Sequence, residues 1–251
     1  KSQKDYPVHI KFNTGLNRLG FWENDVDKII SKLNETKSVK VKSLFSHLAA
    51  SEDQNEVEFT QNQIASFQSI AKDFKSKIDY VPWLHLCNTS GIINYPEGHL
   101  DMVRSGIGLY GFGNSTIEDQ KLKPIASLKS VISQIHTIEK GETVGYNRAY
   151  LAQDFEKTAT IPIGHADGIT RVYGKGKGFV FINGKKAPII GNVCMDMIMV
   201  NITGIDCKEG DEVVIFDGIH KASNLAESSG TISYEIITAI SQRVKRIIIS
   251  D

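Results

Sequence analysis

Apolar positions along the first part of the chain switch back and forth between two periods. Val8 to Phe12 sets apolar residues around His9 and Lys11, the two-residue period of a strand; Val26, Ile29, Ile30 and Leu33 then recur at helical spacing. The cycle repeats with an extended run from Val39 to Leu48 and a helix carrying Ile64, Phe67, Ile70, Ala71 and Phe74. It continues with Tyr80 to Cys87, a short helical turn, and a run from Leu100 to Tyr110. Four strand units of this kind predict a parallel α/β plan. From about Leu122 the pattern changes to short strands punctuated by turns such as Glu139-Lys140-Gly141-Glu142, Asn183-Gly184-Lys185 and Glu209-Gly210-Asp211. That predicts a mainly antiparallel β region with one late helix, from Ser233 through Ile240, and a final strand from Arg246 to Ser250. The domains are therefore expected at 1–121 and 122–251, with Asn114 to Lys121 as the hinge.

Length changes this picture. A closed eight-fold β/α barrel takes roughly 250 residues, and the first part of this chain offers only its first 121. It is either a small four-stranded sheet or a portion of something longer. Such an open sheet would leave strand edges and apolar inward faces uncovered, which predicts self-association.

Composition removes several classes of function. Lysine plus arginine equals aspartate plus glutamate at 29 each, so no overall field favours nucleic acid or an anionic membrane. Hydrophobic residues make up 41% of the chain, yet no uncharged apolar run has the length of a membrane span. The first residues, KSQKDYPVHIKF, contain no apolar signal core, and Cys87, Cys194 and Cys207 are an odd, sparse set. A cytoplasmic location is expected. His165, Asp167 and Asp196 have no metal-ligand spacing with any cysteine pair, so no metal site is expected.

Several segments put polar groups where an α/β plan places a site, at the carboxyl ends of strands. Lys11 and Arg18 bracket the turn Asn13-Thr14-Gly15, His47 ends the second strand, and Asn88-Thr89-Ser90 follows the third. The fourth reads Met102-Val103-Arg104-Ser105-Gly106-Ile107-Gly108, where a hydroxyl with the backbone N–H groups of Gly106 and Ile107 could cradle a phosphate. Taken singly, each has a plainer explanation: solvated cations, a structural histidine, a helix cap. Arg104 resists it, because a guanidinium amid apolar strand residues needs a partner; a salt bridge and a ligand contact stay equally open. In the β region, Gly145-Tyr146-Asn147-Arg148, Ile161 to Gly168 and Gly191 to Met197 combine turn glycines with polar residues.

Taken together, these strings resemble the alanine racemase family. The residues that carry the likeness are HIKFNTGLNRLGF at 9–21, HLCNTSG at 85–91, DMVRSGIGLYG at 101–111, GETVGYNRAY at 141–150, IPIGHADGITR at 161–171, APIIGNVCMDMIMV at 187–200 and TISYE at 231–235. The resemblance implies a barrel that holds pyridoxal phosphate, a C-terminal β domain, and a homodimer whose active site is shared with a second copy of the chain. The fold class that follows is α/β plus all-β: the second half of the barrel, then the β domain. The family lysine that forms the Schiff base with pyridoxal phosphate sits in an Asn-Ala-Tyr-Gly type segment, and none of the 251 residues matches it. The chain alone is thus expected to be inactive.

By matched position, Tyr146 looks like the catalytic tyrosine, which exchanges the α-proton on one face of the substrate while that lysine serves the other. His47 and Arg104 look like its relay, and Arg104 like the partner of the pyridine nitrogen. Thr89, Gly106, Ile107 and Tyr234 match phosphate-binding positions, Thr89 standing where serine is more usual. Arg18 and the backbone of Met195 match contacts to the substrate carboxylate. Lys11 matches a lysine that can be carbamylated and then orients Arg18. Asn13 and His165 depart from the aspartate and the gate tyrosine common in the family. The implied reaction is interconversion of L- and D-alanine for bacterial peptidoglycan. The alternatives are a fold-related pyridoxal-phosphate decarboxylase, and a non-catalytic dimerisation module.

Overall fold

Alternating side chains in two neighbouring strands, each followed by an amphipathic helix, build the first layer. A computed structural model describes residues 5–36 and 38–249. It divides into two units: one runs to Leu109 and takes in Gly113–Leu122, the other holds Tyr110–Phe112 and the chain from Lys123 onward.

In the first unit β1 (Tyr6–Lys11), β2 (Val39–Phe45) and β3 (Trp83–His85) form a parallel sheet in that order, half of a β/α barrel. Helices α1 (Val26–Glu35) and α2 (Val57–Ser76) cover one face. Because strand side chains alternate, Ile10, Val41, Leu44 and Leu84 point to that face and pack with Phe67 and Phe74. The opposite face was expected to be apolar. It instead carries His9, Ser43, Phe45 and His85, brought into line by pairing His9 with Ser43 and Phe45 with His85. Between Val8 and His9 the register advances one residue in β1 but two in β2, Val41 to Ser43, so the irregularity at Lys42 sets Ser43 opposite His9 and keeps Val41 and Leu44 on the helix-covered face. Polar inward residues are consistent with a face that binds rather than merely packs.

Two expectations for this unit need correction. Leu100 to Tyr110 is not a fourth strand: it makes one bridge, Met102 to His85, and then coils into a tight turn over Ile107–Tyr110. Its glycine N–H groups turn to a side chain instead of a strand edge, as shown below. Asn114 to Lys121 is not a hinge either. It contains helix α4 (Thr116–Asp119), capped by Ser115, whose buried Glu118 accepts from Ser90 Oγ at 3.0 Å, Asn94 Nδ2 at 2.7 Å and the Asn114 N–H at 2.7 Å. Two of these donors, Ser90 and Asn94, tie the segment to the rest of the first unit.

The second unit is a seven-stranded antiparallel sheet. Its strands are β4 (Leu128–Val131), β5 (Gln134–Ile138), β8 (Glu156–Ile161), β9 (Phe179–Ile182), β10 (Lys185–Ile190), β11 (Ile198–Asn201) and β12 (Glu212–Phe216), in the order β4-β12-β9-β10-β11-β8-β5. A small pair, β6 (Thr143–Val144) with β7 (Tyr150–Leu151), stands beside it in the chain. Asn183 and Gly184, at φ 50° and 73°, make the two-residue turn joining β9 to β10, which is why that dipeptide punctuates the sequence. Ile161, Val180, Ile182, Ile198 and Val200 are fully or almost fully buried. The late helix is present as α6 (Ser233–Ala239), preceded by α5 (Ala222–Glu227), which the pattern did not reveal. The final strand is absent: residues Arg246 to Ile249 pair with nothing in a sheet, and Ser250 lies outside the described residues. Among the described residues no helix is long and apolar enough to cross a membrane.

Candidate active site

Arg104 organises the polar face of the first unit. Its Nη2 donates to the carbonyls of Ser46 at 2.8 Å and Leu86 at 3.2 Å and to His47 Nδ1 at 3.2 Å, and its Nη1 donates to His85 Nδ1. The guanidinium also lies 5.4 Å from the centre of the Phe45 ring, on which His85 stacks at 4.9 Å. Among the described residues no carboxylate pairs with Arg104, so the salt-bridge explanation fails. Burial lowers its pKa from the ordinary arginine range, and the charge is left facing neutral acceptors.

Arginine can only donate. Nδ1 of His47 and of His85 must therefore carry a lone pair, and each ring is the Nε2–H form. Electrostatics agree: burial first, then the Arg104 charge, pulls both imidazoles down to about 4. The His85 Nε2–H donates to Ser43 Oγ at 2.9 Å, and Ser43 is 2.5 Å from His9 Nδ1. His85 and Ser43 are both buried. The sequence quotes His85 within a motif but assigns it no role; its meaning lies in Ser43, 42 residues earlier.

Lys11, at the end of β1, has its pKa lowered by burial and then by the charges of Arg18 and Arg104, which favours an amine able to react. Arg18 is exposed on the following turn. Asn13 shapes that turn: its Oδ1 accepts from the N–H groups of Gly15 at 3.2 Å and Asn17 at 3.0 Å.

Thr89 opens α3 (Thr89–Asn94), which Asn88 caps by accepting from the Gly91 N–H at 2.9 Å. The buried Thr89 hydroxyl accepts from the Gly106 N–H at 3.1 Å and the Gly108 N–H at 3.2 Å. The N–H groups of Gly106 and Gly108 are thus spent on Thr89, and Ile107 is buried in the intervening turn. A Cβ on Gly108 would fall 2.8 Å from Thr89 Cγ2, so only glycine permits this approach. With both lone pairs engaged, the Thr89 hydrogen is left to donate to an anion. The hydrogen of Thr89 and a guanidinium that no carboxylate among the described residues pairs with are donors of the kinds that fit a phosphate ester and a heteroaromatic nitrogen, the two groups pyridoxal phosphate carries.

In the second unit three of the quoted segments interlock. The Tyr146 carbonyl accepts from Asn192 Nδ2 at 3.0 Å, which ties the tyrosine turn to the turn after β10. That turn is clasped in its own right: the N–H groups of His165 and Ala166 donate to the carbonyls of Cys194 at 3.0 Å and Met195 at 2.7 Å. Asp167, buried, anchors the clasp by accepting from the Gly164 N–H at 2.8 Å and pairing with Arg243 at 2.7 Å. Tyr146 sits between Gly145 at φ 78° and Asn147 and Arg148 at φ 59° and 50°, a contorted backbone that leaves the tyrosine 74% exposed. Met195 is 62% exposed, and Tyr234 is half-buried in α6.

A parallel β/α unit, followed in the chain by an antiparallel unit that turns a tyrosine outward, defines a protein of the barrel-plus-β-domain class. The comparisons narrow this. Residues 1–113 match the model for the alanine racemase N-terminal domain and residues 125–248 that for the C-terminal domain. An alanine racemase of Clostridium novyi is 36% identical over 262 aligned residues, covering 100% of this chain and 67% of that one. The crystal structure of alanine racemase from D-cycloserine-producing Streptomyces lavendulae matches with a TM-score of 0.91 at 26% identity, covering 99% of this chain and 67% of that one. The Bartonella henselae alanine racemase with covalently bound pyridoxal phosphate matches at 0.83 and 31%, covering 97% and 66%. The chain belongs to the alanine racemase family, and it spans about two thirds of the length of these relatives.

Proposed function

We propose that this chain is part of a pyridoxal-phosphate-dependent racemase that interconverts L- and D-alanine, in the cytoplasm, for peptidoglycan synthesis. The observation that carries the reading is Arg104: a half-buried cation without a carboxylate partner among the described residues, held by two neutral imidazoles, in a chain similar to an alanine racemase solved with covalently bound pyridoxal phosphate. Thr89, with Gly106, Ile107 and Tyr234 by matched position, would hold the phosphate. Arg104 would donate to the pyridine nitrogen. When bound, pyridoxal phosphate supplies an electron-withdrawing conjugated system that acidifies the α-carbon of the amino acid.

This chain's residues do the rest. Arg18, oriented by Lys11 once that amine is carbamylated, would receive the substrate carboxylate together with the Met195 backbone. Because Arg104 never gives up its proton, it leaves the pyridine nitrogen an acceptor and limits electron withdrawal, which suppresses competing reactions. Tyr146 Oη takes or returns the α-proton on one face; its exposure suits a site completed by a second copy of the chain, where His47, as the Nε2–H donor, steadies the phenol oxygen. The base for the other face is the cofactor-bearing lysine, matched by none of these residues, so the 251 residues expressed alone are expected to lack turnover. Assaying alanine racemisation by chiral separation, for the full-length coding sequence and for these residues alone, tests this. Absence of turnover in the full-length protein with added pyridoxal phosphate would refute the function, and turnover by the 251 residues would refute the division of labour.

A further inference from the structure

The row of hydrogen bonds behind Arg104 continues well past the groups needed to meet a cofactor. Nη1 of Arg104 donates to His85 Nδ1, His85 Nε2–H donates to Ser43 Oγ at 2.9 Å, and Ser43 Oγ lies 2.5 Å from His9 Nδ1. Since the guanidinium cannot accept, His85 has one usable tautomer, the one that donates from Nε2 to Ser43. The ring of His85 is also clamped between the Phe45 ring, stacked at 4.9 Å, and the His9 ring, edge-on at 6.1 Å. Among the described residues only Ser43 bonds His85 Nε2, and it is fully buried, where an unsatisfied N–H is expensive.

We propose that Ser43 is a positioning residue for Arg104: by receiving the His85 Nε2–H it holds that imidazole in the tautomer and rotation that present a lone pair to the guanidinium. This rests on the reading of Arg104 as the group that meets the cofactor nitrogen. Remove the hydroxyl and the His85 N–H is orphaned in the interior. The ring then gains by turning or by moving its proton to Nδ1, and either change replaces an acceptor facing Arg104 with something that cannot accept. Arg104 loses its firmest side-chain anchor while keeping its carbonyl partners, so it loosens without leaving.

The test uses the full-length protein with Ser43→Ala and Ser43→Thr. Nitrogen-15 spectra of histidine-labelled protein read the tautomer of His85 directly, with His85→Gln identifying its signals, and do so with or without cofactor. Expected for Ser43→Ala is loss of the single Nε2–H form of His85, accompanied by a fall in kcat of about tenfold with little change in KM; Ser43→Thr, which keeps the hydroxyl, should restore both. Unchanged His85 signals in folded Ser43→Ala overturn the proposal whatever happens to turnover. Altered signals with unchanged turnover, while Arg104→Lys impairs it, also overturn the positioning role. The functional reading fails by a different result, namely turnover indifferent to Arg104→Lys, so the two failures are distinguishable.

Discussion

The two units hold their candidate residues in opposite ways. In the first, Arg104, His85, Ser43 and Thr89 lie in a closed set of hydrogen bonds, mostly buried, in which nearly every donor has a named acceptor. In the second, Tyr146 and Met195 are exposed, and rigidity is supplied from behind through their carbonyls, by Asn192 and Ala166. One unit holds a buried cation among neutral acceptors; the other presents an exposed tyrosine on a stiff backbone. The lesson concerns where mutation should hurt: in the first unit chemistry and stability are coupled, and in the second they separate.

The sharpest test of that separation is Tyr146→Phe in the full-length enzyme. The lost hydroxyl is exposed, so the melting temperature should hardly move, while turnover should fall about 10²-fold or more. Both directions must fall together, because the enantiomers have equal free energy. Exchange of the α-proton with deuterium should nonetheless persist for D-alanine and vanish for L-alanine, as followed by proton NMR; equal residual exchange would return Tyr146 to a packing role. Arg104→Lys should break the pattern the other way. A point charge cannot serve four acceptors in a fixed fork, so turnover should drop and stability should fall by about 1–3 kcal/mol, measured by denaturant unfolding. Smaller again, Thr89→Val should weaken pyridoxal phosphate binding about tenfold by titration, with Thr89→Ser close to the parent.

The mildest test is pH. His47 and His85 are held near 4 in the folded chain against an ordinary 6.5. Between those values the unfolded chain binds protons that the folded one refuses, so stability is lost as pH falls through that window and is recovered above it. The loss should show as a lower melting temperature for the first unit, with the second unit's unfolding signal unmoved. Equal acid sensitivity in both units would remove histidine burial as the cause.

How far the sequence revealed this depended on how local each cause is. The helical spacing of Ile64, Phe67, Ile70, Ala71 and Phe74 and the Asn183-Gly184 turn were legible because their partners are near in the chain. Leu100 to Tyr110 misled because its apolar rhythm is strand-like, whereas its backbone is directed by Thr89, 17 and 19 residues away from the glycines that bond it. Ser43 and His85 look like ordinary strand residues until parallel pairing sets them on one face. The hinge reading took a polar stretch for a linker, and buried Glu118 shows that the polar groups face inward.

One property of the row from Arg104 to His9 bears on leakage. A path that conducts protons needs members that can receive a proton from one side and release it on the other, and then reset. Here the first member cannot receive at all, and the hydrogen of the second points away from it, toward Ser43. The row can polarise but cannot carry current. A proton arriving beside Arg104 therefore has no onward route along it.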